Sequence, residues 1–418
     1  MGLFIYNISI RLYGLLIRLV SLFNQKARLF VQGRKGLFKK LEETFAGNER
    51  PVLWLHAASL GEFEQGRPVL EAFRQAYPHY RILLTFYSPS GYEVRKNYAG
   101  ADDVFYLPED SKANAGRFLT LVNPSIAILV KYEFWYHLIR ESVSRGVQTI
   151  GVSTIIRPNH LLLKPQGRFL ADCAAKMHHF FVQDEQSRIN MQQINIDQVT
   201  VAGDTRYDRV WDIAAKAQEI PIAEHFAGDQ PTMVIGSSWP SDMEVLYPVI
   251  KTFSDRFKFI IAPHNLKETE LSAIEKNIEG RVIRYSKAAT DERLATANVL
   301  LIDNIGMLSS LYRYGRYAYV GGALRGTLHN TLEAAVYGIP VFFGKHANNQ
   351  KFVEATDLVR VGGGQEITSA DQLITAIKQL ESDAELRDRT GNQSGELVQQ
   401  SRGGTEKVMD YLGKIISA

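Results

Sequence analysis

The chain contains a single cysteine, Cys173, in 418 residues. That excludes an intramolecular disulfide and any cysteine-based metal cluster, and it fits a reducing compartment. Excess charge is also scarce: 48 Lys and Arg stand against 45 Asp and Glu. A general nucleic-acid binder carries a stronger basic surplus, so nucleic acid is not an expected partner. Several chemical motifs are missing. No Asp-x-Asp sits at a strand end, as a metal-dependent sugar transferase would want. There is no phosphate-cradling Gly-x-x-x-x-Gly-Lys-Ser/Thr loop and no Gly-x-Gly-x-x-Gly opening the first helix. A Gly-x-Ser-x-Gly nucleophile elbow is absent too.

Nor does any uninterrupted apolar run reach the roughly 18 residues of a clear spanning helix. The nearest is residues 2–24, broken by Arg11 and Arg18. A secretory signal would place its charge before the apolar core and a small-residue cleavage site after it, and this stretch does neither. The adjoining segment is basic, with Lys26, Arg28, Arg34, Lys35, Lys39 and Lys40. The combination predicts a helix lying in a lipid interface and attracted to anionic headgroups, with a membrane surface as partner. A helix packed on the domain, or one that spans, are the alternatives.

From residue 51 onward, short apolar runs alternate with helical patterns. The runs are Val52–His56, Arg81–Tyr87, Val104–Leu107, Ile126–Tyr132, Thr149–Ser153, His179–Gln183 and Val199–Gly203, then Thr232–Gly236, Phe257–Ala262, Val299–Ile302, Tyr317–Gly321 and Pro340–Phe343. This alternation predicts parallel sheets with helices on both faces. A hydrophobic content of 45% suffices for two cores, and 418 residues is long for one. A polar connector interrupted by Pro221 places the boundary near residue 210. The expected organisation is a membrane-associated segment over residues 1–40, an acceptor-binding α/β domain over 41–210 and a nucleotide-sugar-binding α/β domain over 211–418. The last helices are free in this scheme to pack back on the first domain. Two doubly wound domains facing a cleft place ligands beyond the C-terminal strand ends.

The loops at those ends carry the candidate chemistry. In Trp54-Leu55-His56-Ala57-Ala58-Ser59-Leu60-Gly61-Glu62, an apolar strand breaks into a small-residue turn and a helix start. Such a turn presents backbone N–H groups, here with Ser59 and Gly61 beside a carboxylate, Glu62. A lone acid at this point is what a sugar transferase needs as a base. Glu133, in Lys131-Tyr132-Glu133-Phe134-Trp135, reads as a second site acid rather than a paired buried ion. In the second half, Gly321-Gly322 leads to His329-Asn330-Thr331-Leu332-Glu333, where Asn330 is the expected N-cap and Glu333 could accept from ribose hydroxyls. Pro263-His264 and Ile305-Gly306-Met307 also come after strands. Ser59-x-x-Glu62 and Asn330-x-x-Glu333 equally fit capping-box spacing, the structural alternative for both acids. His56 and His264 are evenly balanced between hydrogen-bonded core residues and ligand contacts.

His56-Ala57-Ala58-Ser59-Leu60-Gly61-Glu62, Lys131-Tyr132-Glu133-Phe134-Trp135, Ala262-Pro263-His264 and Gly321-Gly322 with His329–Ala335 together resemble the Kdo (3-deoxy-D-manno-octulosonic acid) transferases of bacterial lipopolysaccharide synthesis. The resemblance covers nearly the whole chain, with the motifs in family order. It implies a GT-B fold and transfer of Kdo from CMP-Kdo to a lipid A precursor, with inversion, no metal and no cofactor, at the cytoplasmic face of the inner membrane. By resemblance, Glu62 is the general base, Glu133 a second acidic site residue, and Arg206 a cation that stabilises the transition state. Pro263, His264, Ile305, Gly306, Met307, Asn330, Thr331, Leu332 and Glu333 look like the CMP-contacting segments. Two departures stand out. Family members often write Pro-Arg-His where this chain has Pro263-His264-Asn265, which loses an Arg suited to phosphate and leaves Lys267 as a substitute. Arg206 stands where some relatives carry Lys. The competing assignments are a UDP-sugar transferase, a sugar-nucleotide epimerase and a membrane-tethered binding protein.

Overall fold

The computed structural model describes residues 2–278 and 281–417. The chain divides into two compact units. The first takes residues up to Asp208 together with the segment from Arg402 onward; the second runs Arg209–Ser401.

The first unit is built on seven parallel strands: β1 (Val52–Ala57), β2 (Arg81–Phe86), β3 (Asp103–Tyr106), β4 (Ile126–Val130), β5 (Gln148–Thr154), β6 (His179–Val182) and β7 (Val199–Val201). Their order is β3-β2-β1-β4-β5-β6-β7. A parallel sheet is covered on both faces, so its strands read as continuous apolar runs. β1 shows this: Leu53 and Leu55 pack with Phe63, Val69 and Phe73 of the helix Leu60–Ala76. Val52 and Trp54 face the other layer, with Leu41, Phe118 and Leu138. The last helix, Gly404–Ser417, adds Val408 and Leu412 to the Leu53 side. Its entry is pinned where the Asp208 carboxylate accepts the backbone N–H groups of Gly403 and Thr405, both at 2.6 Å.

The second unit repeats the plan with β8 (Thr232–Ser238), β9 (Lys258–Pro263), β10 (Val282–Arg284), β11 (Val299–Leu301), β12 (Tyr317–Val320), β13 (Val341–Gly344) and β14 (Gly364–Ile367). The order is β10-β11-β9-β8-β12-β13-β14, again parallel throughout. The fold is therefore two doubly wound α/β domains, as the alternation predicts. The sequence pattern misses β10 and β14. Both are short edge strands, and Arg284, Gln365 and Glu366 break their apolar runs.

The helix Gly2–Val20 is apolar and long enough to cross a membrane by length and composition, with a mean hydropathy of 1.5. It lies along the first unit. Tyr6 donates its hydroxyl to Asp110 (2.5 Å), and His137 Nε2 bonds Asn7 Oδ1 (2.7 Å). The opposite face leaves Phe4, Ile5, Ile8, Leu12, Leu15 and Leu19 exposed. Arg34, expected among the lipid-facing cations, is instead a strut. Its guanidinium donates to the carbonyls of Leu107, Phe30 and Tyr87, and burial pushes its pKa down to about 10.

Candidate active site

In each unit the first strand is flanked by two strands whose connections leave in opposite directions. Ligands of such sheets bind at this switch point, beyond the C-terminal strand ends. In the first unit it falls between β1 and β4, and in the second between β8 and β12. Of these, β1, β4 and β12 lead into loops that the sequence marks as candidate sites.

At the first switch point, Ser59 caps the helix Leu60–Ala76, its Oγ lying 3.5 Å from the N–H of Glu62. A capping box would send the Glu62 carboxylate back to the Ser59 N–H. It reaches one residue further instead, and Oε2 accepts the N–H of Ala58 at 2.7 Å. Among the described residues no hydrogen bond occupies Oε1. Burial pushes the Glu62 pKa up to about 7, with the nearby Glu133 charge adding to the rise. The Ala58 N–H, His56 and Lys131 oppose it. Gly61 is exposed in the same first turn.

Glu133 is nearly buried and receives two donors: the Trp135 indole N–H at 2.5 Å and His56 Nε2 at 3.0 Å. One hydrogen-bond arrangement uses each group once. Trp54 Nε1 donates to Thr85 Oγ1 (2.8 Å), that hydroxyl donates to His56 Nδ1 (2.9 Å), and Nε2–H donates to Glu133. His56 is thus a hydrogen-bonded core residue that orients the Glu133 carboxylate. Lys131 and Ser153, at the ends of β4 and β5, have φ of 69° and 50°. Strained non-glycine backbone of this kind clusters at functional sites.

Arg206 belongs to the same edge. Its guanidinium makes two bonds to Asp204 Oδ2, at 2.7 and 3.0 Å, and its own N–H bonds Asp204 Oδ1. Gln65, one turn beyond Glu62, also donates to Asp204 (2.9 Å). Glu62, Glu133 and Arg206 are therefore gathered at one end of the first sheet.

At the second switch point, His264 follows Pro263 at the end of β9 and stacks on Trp239 (ring centroids 4.1 Å apart) and near His329 (4.7 Å). The Trp239 indole donates to His329 Nε2 at 3.2 Å. Burial pushes the His329 pKa down to about 4, so Nε2 stays an acceptor at neutral pH. Arg325 places its guanidinium 4.1 Å from the centre of the Trp239 ring. The floor is Asp242, wholly buried, which accepts from Trp239 N (2.9 Å), Gly322 N (2.9 Å) and the Tyr319 hydroxyl (3.1 Å). Glycine is required at 321 because a Cβ there would lie 2.4 Å from the Ser237 carbonyl. At Gly322, with φ of 93°, it would lie 2.4 Å from the Thr327 carbonyl.

Asn330 accepts the N–H of Leu332 at 3.2 Å and its amide lies 3.4 Å from Glu333, but the N-cap position expected for it falls on Thr331, which makes no side-chain capping bond. The helix that follows is one turn, Leu332–Ala335. A helix of one turn has little dipole to offer an anion. Polar hydrogen-bonding capacity is present nonetheless: the buried hydroxyls of Ser238, Ser241 and Thr331 have no protein partner. Ile305 and Gly306 form an exposed turn after β11. Met307 leads into Leu308, whose Cδ1 packs against Gly236. The sequence pattern does not single out Trp239, Asp242 or Arg325. Trp239 directly follows Gly236-Ser237-Ser238, the small residues that end β8, and that position was the available signal. Asp242 caps its own helix through the Trp239 N–H, but its bonds to Tyr319 and Gly322, like the placement of Arg325 on Trp239, join residues remote in sequence.

The fold is shared with nucleotide-sugar proteins of the two-domain GT-B class. A UDP-GlcNAc 2-epimerase of Neisseria meningitidis superposes with a TM-score of 0.57 at 14% identity, covering 87% of this chain and all of that one. One from Methanocaldococcus jannaschii gives 0.51 at 12% identity, covering 83% and 98%. Such identities establish the fold alone. Sequence narrows the class. Residues 31–209 match the family described as 3-deoxy-D-manno-octulosonic-acid transferase (kdotransferase). A protein of that name from Chlamydophila psittaci is 28% identical over 341 residues, 78% of this chain and 76% of that protein. Another, from Haemophilus influenzae, is 26% identical over 372 residues, 86% of each. Over most of its length the chain is therefore similar to Kdo transferases, which are glycosyltransferases.

Proposed function

We propose that the enzyme transfers Kdo from CMP-Kdo to the glucosamine disaccharide of a lipid A precursor, with inversion at the anomeric carbon and Glu62 as general base. The observation that carries this is the Glu62 carboxylate. It is anchored through one oxygen, open at the other and poised near neutral pH. A base works best when its pKa lies near the operating pH. Glu62 takes the proton of the acceptor hydroxyl as that oxygen attacks the anomeric carbon from the face opposite CMP. The C–O bond to the phosphate breaks, and its electron pair leaves with CMP. Glu133, held by His56 and Trp135, keeps the Glu62 pKa high. Arg206, with its orientation fixed by Asp204, supplies positive charge where negative charge develops.

The second unit is the donor's in this scheme. Trp239 and His264 offer a stacking surface, and Ser238, Ser241 and Thr331 offer hydroxyls. Arg325 provides a guanidinium in the cluster where His264 replaces the family's arginine. Lys267, the alternative, sits exposed at the start of the helix Glu268–Asn277. Incubation with CMP-Kdo and a tetra-acylated lipid A precursor should add the mass of Kdo to the acceptor. A transferase that accepts UDP-sugars and ignores CMP-Kdo would refute the assignment.

Glu333→Ala should weaken CMP binding at least tenfold in a calorimetric titration, with little change in melting temperature. Undiminished affinity in the folded variant would leave Glu333 as a helix-start residue only.

The amphipathic N-terminal helix supports a membrane-surface location at the inner membrane's cytoplasmic face, lying on the bilayer rather than crossing it. Its polar side is committed to Asp110 and His137, and its apolar side is open. Removing residues 1–24 should release the protein from anionic vesicles at high salt and leave weak binding at low salt through Lys26, Arg28, Lys35, Lys39 and Lys40. Each such cation near an anionic surface contributes about 1 kcal/mol. Leu15, Leu19 and Phe23 changed together to serine should behave alike while keeping the Tyr6 contact. Co-sedimentation at two ionic strengths decides this. Equal binding of both proteins and wild type at high salt would place the anchor elsewhere.

A further inference from the structure

An apolar groove of about 510 Å³ lies between the first two helices and the end of β2. Leu16, Ile17 and Val20 form one wall, Ala27 and Phe30 the other, and Tyr87 the inner end. Its size falls among small-ligand sites, about 300–1,000 Å³. Two features say what fits it. Leu16 and Val20 are themselves about half exposed, so the groove opens onto the apolar face of the N-terminal helix. Lys26 also lines it, bringing a cation to a mostly apolar slot whose other polar residues are Asn24 and Ser88.

The inner end adjoins the acids. Tyr87, packed edge-on against Phe30 at 5.2 Å, lies 4.6 Å from Trp135, the residue that donates to Glu133. The N–H of Ser88, also in the lining, bonds the carbonyl of Ala58 at 2.7 Å, and the N–H of Ala58 holds Glu62. A short chain of contacts thus links the groove to both acids, through Tyr87 and Trp135 to Glu133 and through Ser88 and Ala58 to Glu62.

We propose that this groove holds one fatty acyl chain of the acceptor and so registers the acceptor sugar hydroxyl against Glu62. This rests on the lipid-acceptor assignment above. It assigns acyl-chain recognition to Leu16, Val20, Ala27, Phe30 and Tyr87, separately from attachment to the membrane. Each methylene withdrawn from water changes affinity by about fourfold, so a chain of even a few seated carbons dominates acceptor binding.

The test is the full-length enzyme with Leu16 and Val20 both changed to Trp, which fills the slot from exposed positions and spares the core. Acceptors are the tetra-acylated lipid A precursor and its fully deacylated disaccharide bisphosphate, assayed with CMP-Kdo in the same mixed micelles. The ratio of kcat/KM for acylated over deacylated acceptor should fall at least tenfold, through KM of the acylated one. Flotation with anionic vesicles should match wild type. An unchanged ratio would overturn the proposal. So would a ratio that falls only in step with vesicle binding, which would assign the effect to anchoring. Failure of the wild-type enzyme to use either acceptor is a different result and would refute the lipid-acceptor assignment itself.

Discussion

Glu62→Gln should reduce kcat/KM on the order of a thousandfold while leaving the fold intact. General acid–base contributions run about 10²–10⁴-fold, and a thousandfold is about 4 kcal/mol of transition-state free energy. Glutamine can still accept the Ala58 N–H through its carbonyl oxygen, so the helix start keeps its bond, but it cannot take a proton. The pH profile carries a second signature. Only the deprotonated acid works as a base, so wild-type activity should rise with pH through about 7, the Glu62 value. Glu133→Gln removes the negative charge that helps raise it, keeps an acceptor for His56 and Trp135, and should move that rising limb to lower pH. A limb that stays put would assign the shift to burial alone. Near wild-type turnover by Glu62→Gln would return Glu62 to helix capping and refute the mechanism.

Asp242→Ala should be the most damaging single change to the second unit. It strands three donors, the N–H groups of Trp239 and Gly322 and the hydroxyl of Tyr319. An unsatisfied buried donor costs about 1–3 kcal/mol, so the sum is roughly 3–9 kcal/mol before any entry of water. Asp242→Asn retains one acceptor oxygen and should cost about half as much. The measurement is urea denaturation followed by circular dichroism, where the first transition should move to lower urea. CMP affinity should fall as well, because the Trp239 and Gly322 loops lose their common anchor. Unmoved transitions would mean that Asp242 is not what joins the ends of β8 and β12.

The alternation of apolar runs and helical patterns sufficed for twelve of the strand regions and for the parallel α/β class, because buried parallel strands must be apolar on both faces. The two strands it missed are edge strands, where a shorter and more polar run survives with one neighbour. Glu62 and Glu133 were legible because each comes after a long apolar strand and interrupts it with charge. Their chemistry was not. The sequence left capping and catalysis both open for Glu62; tertiary structure shows its carboxylate passing over the Ser59 N–H to Ala58, beside a second acid 71 residues away in the chain.

Arg34 shows the limit from the other side. By composition it belongs to a basic run, yet three backbone carbonyls drawn from separate segments hold it inside the first unit. The Trp239, His264, His329 and Arg325 cluster likewise spans three strand ends of the second unit. By itself the sequence determined which segments become strands, which loops end them and which family the chain resembles, since these depend on local pattern. Only the tertiary structure decided which side chains share a carboxylate, a ring face or a groove. Parallel sheets bring together residues far apart in sequence, and hydrogen bonding and burial then set what each group can do.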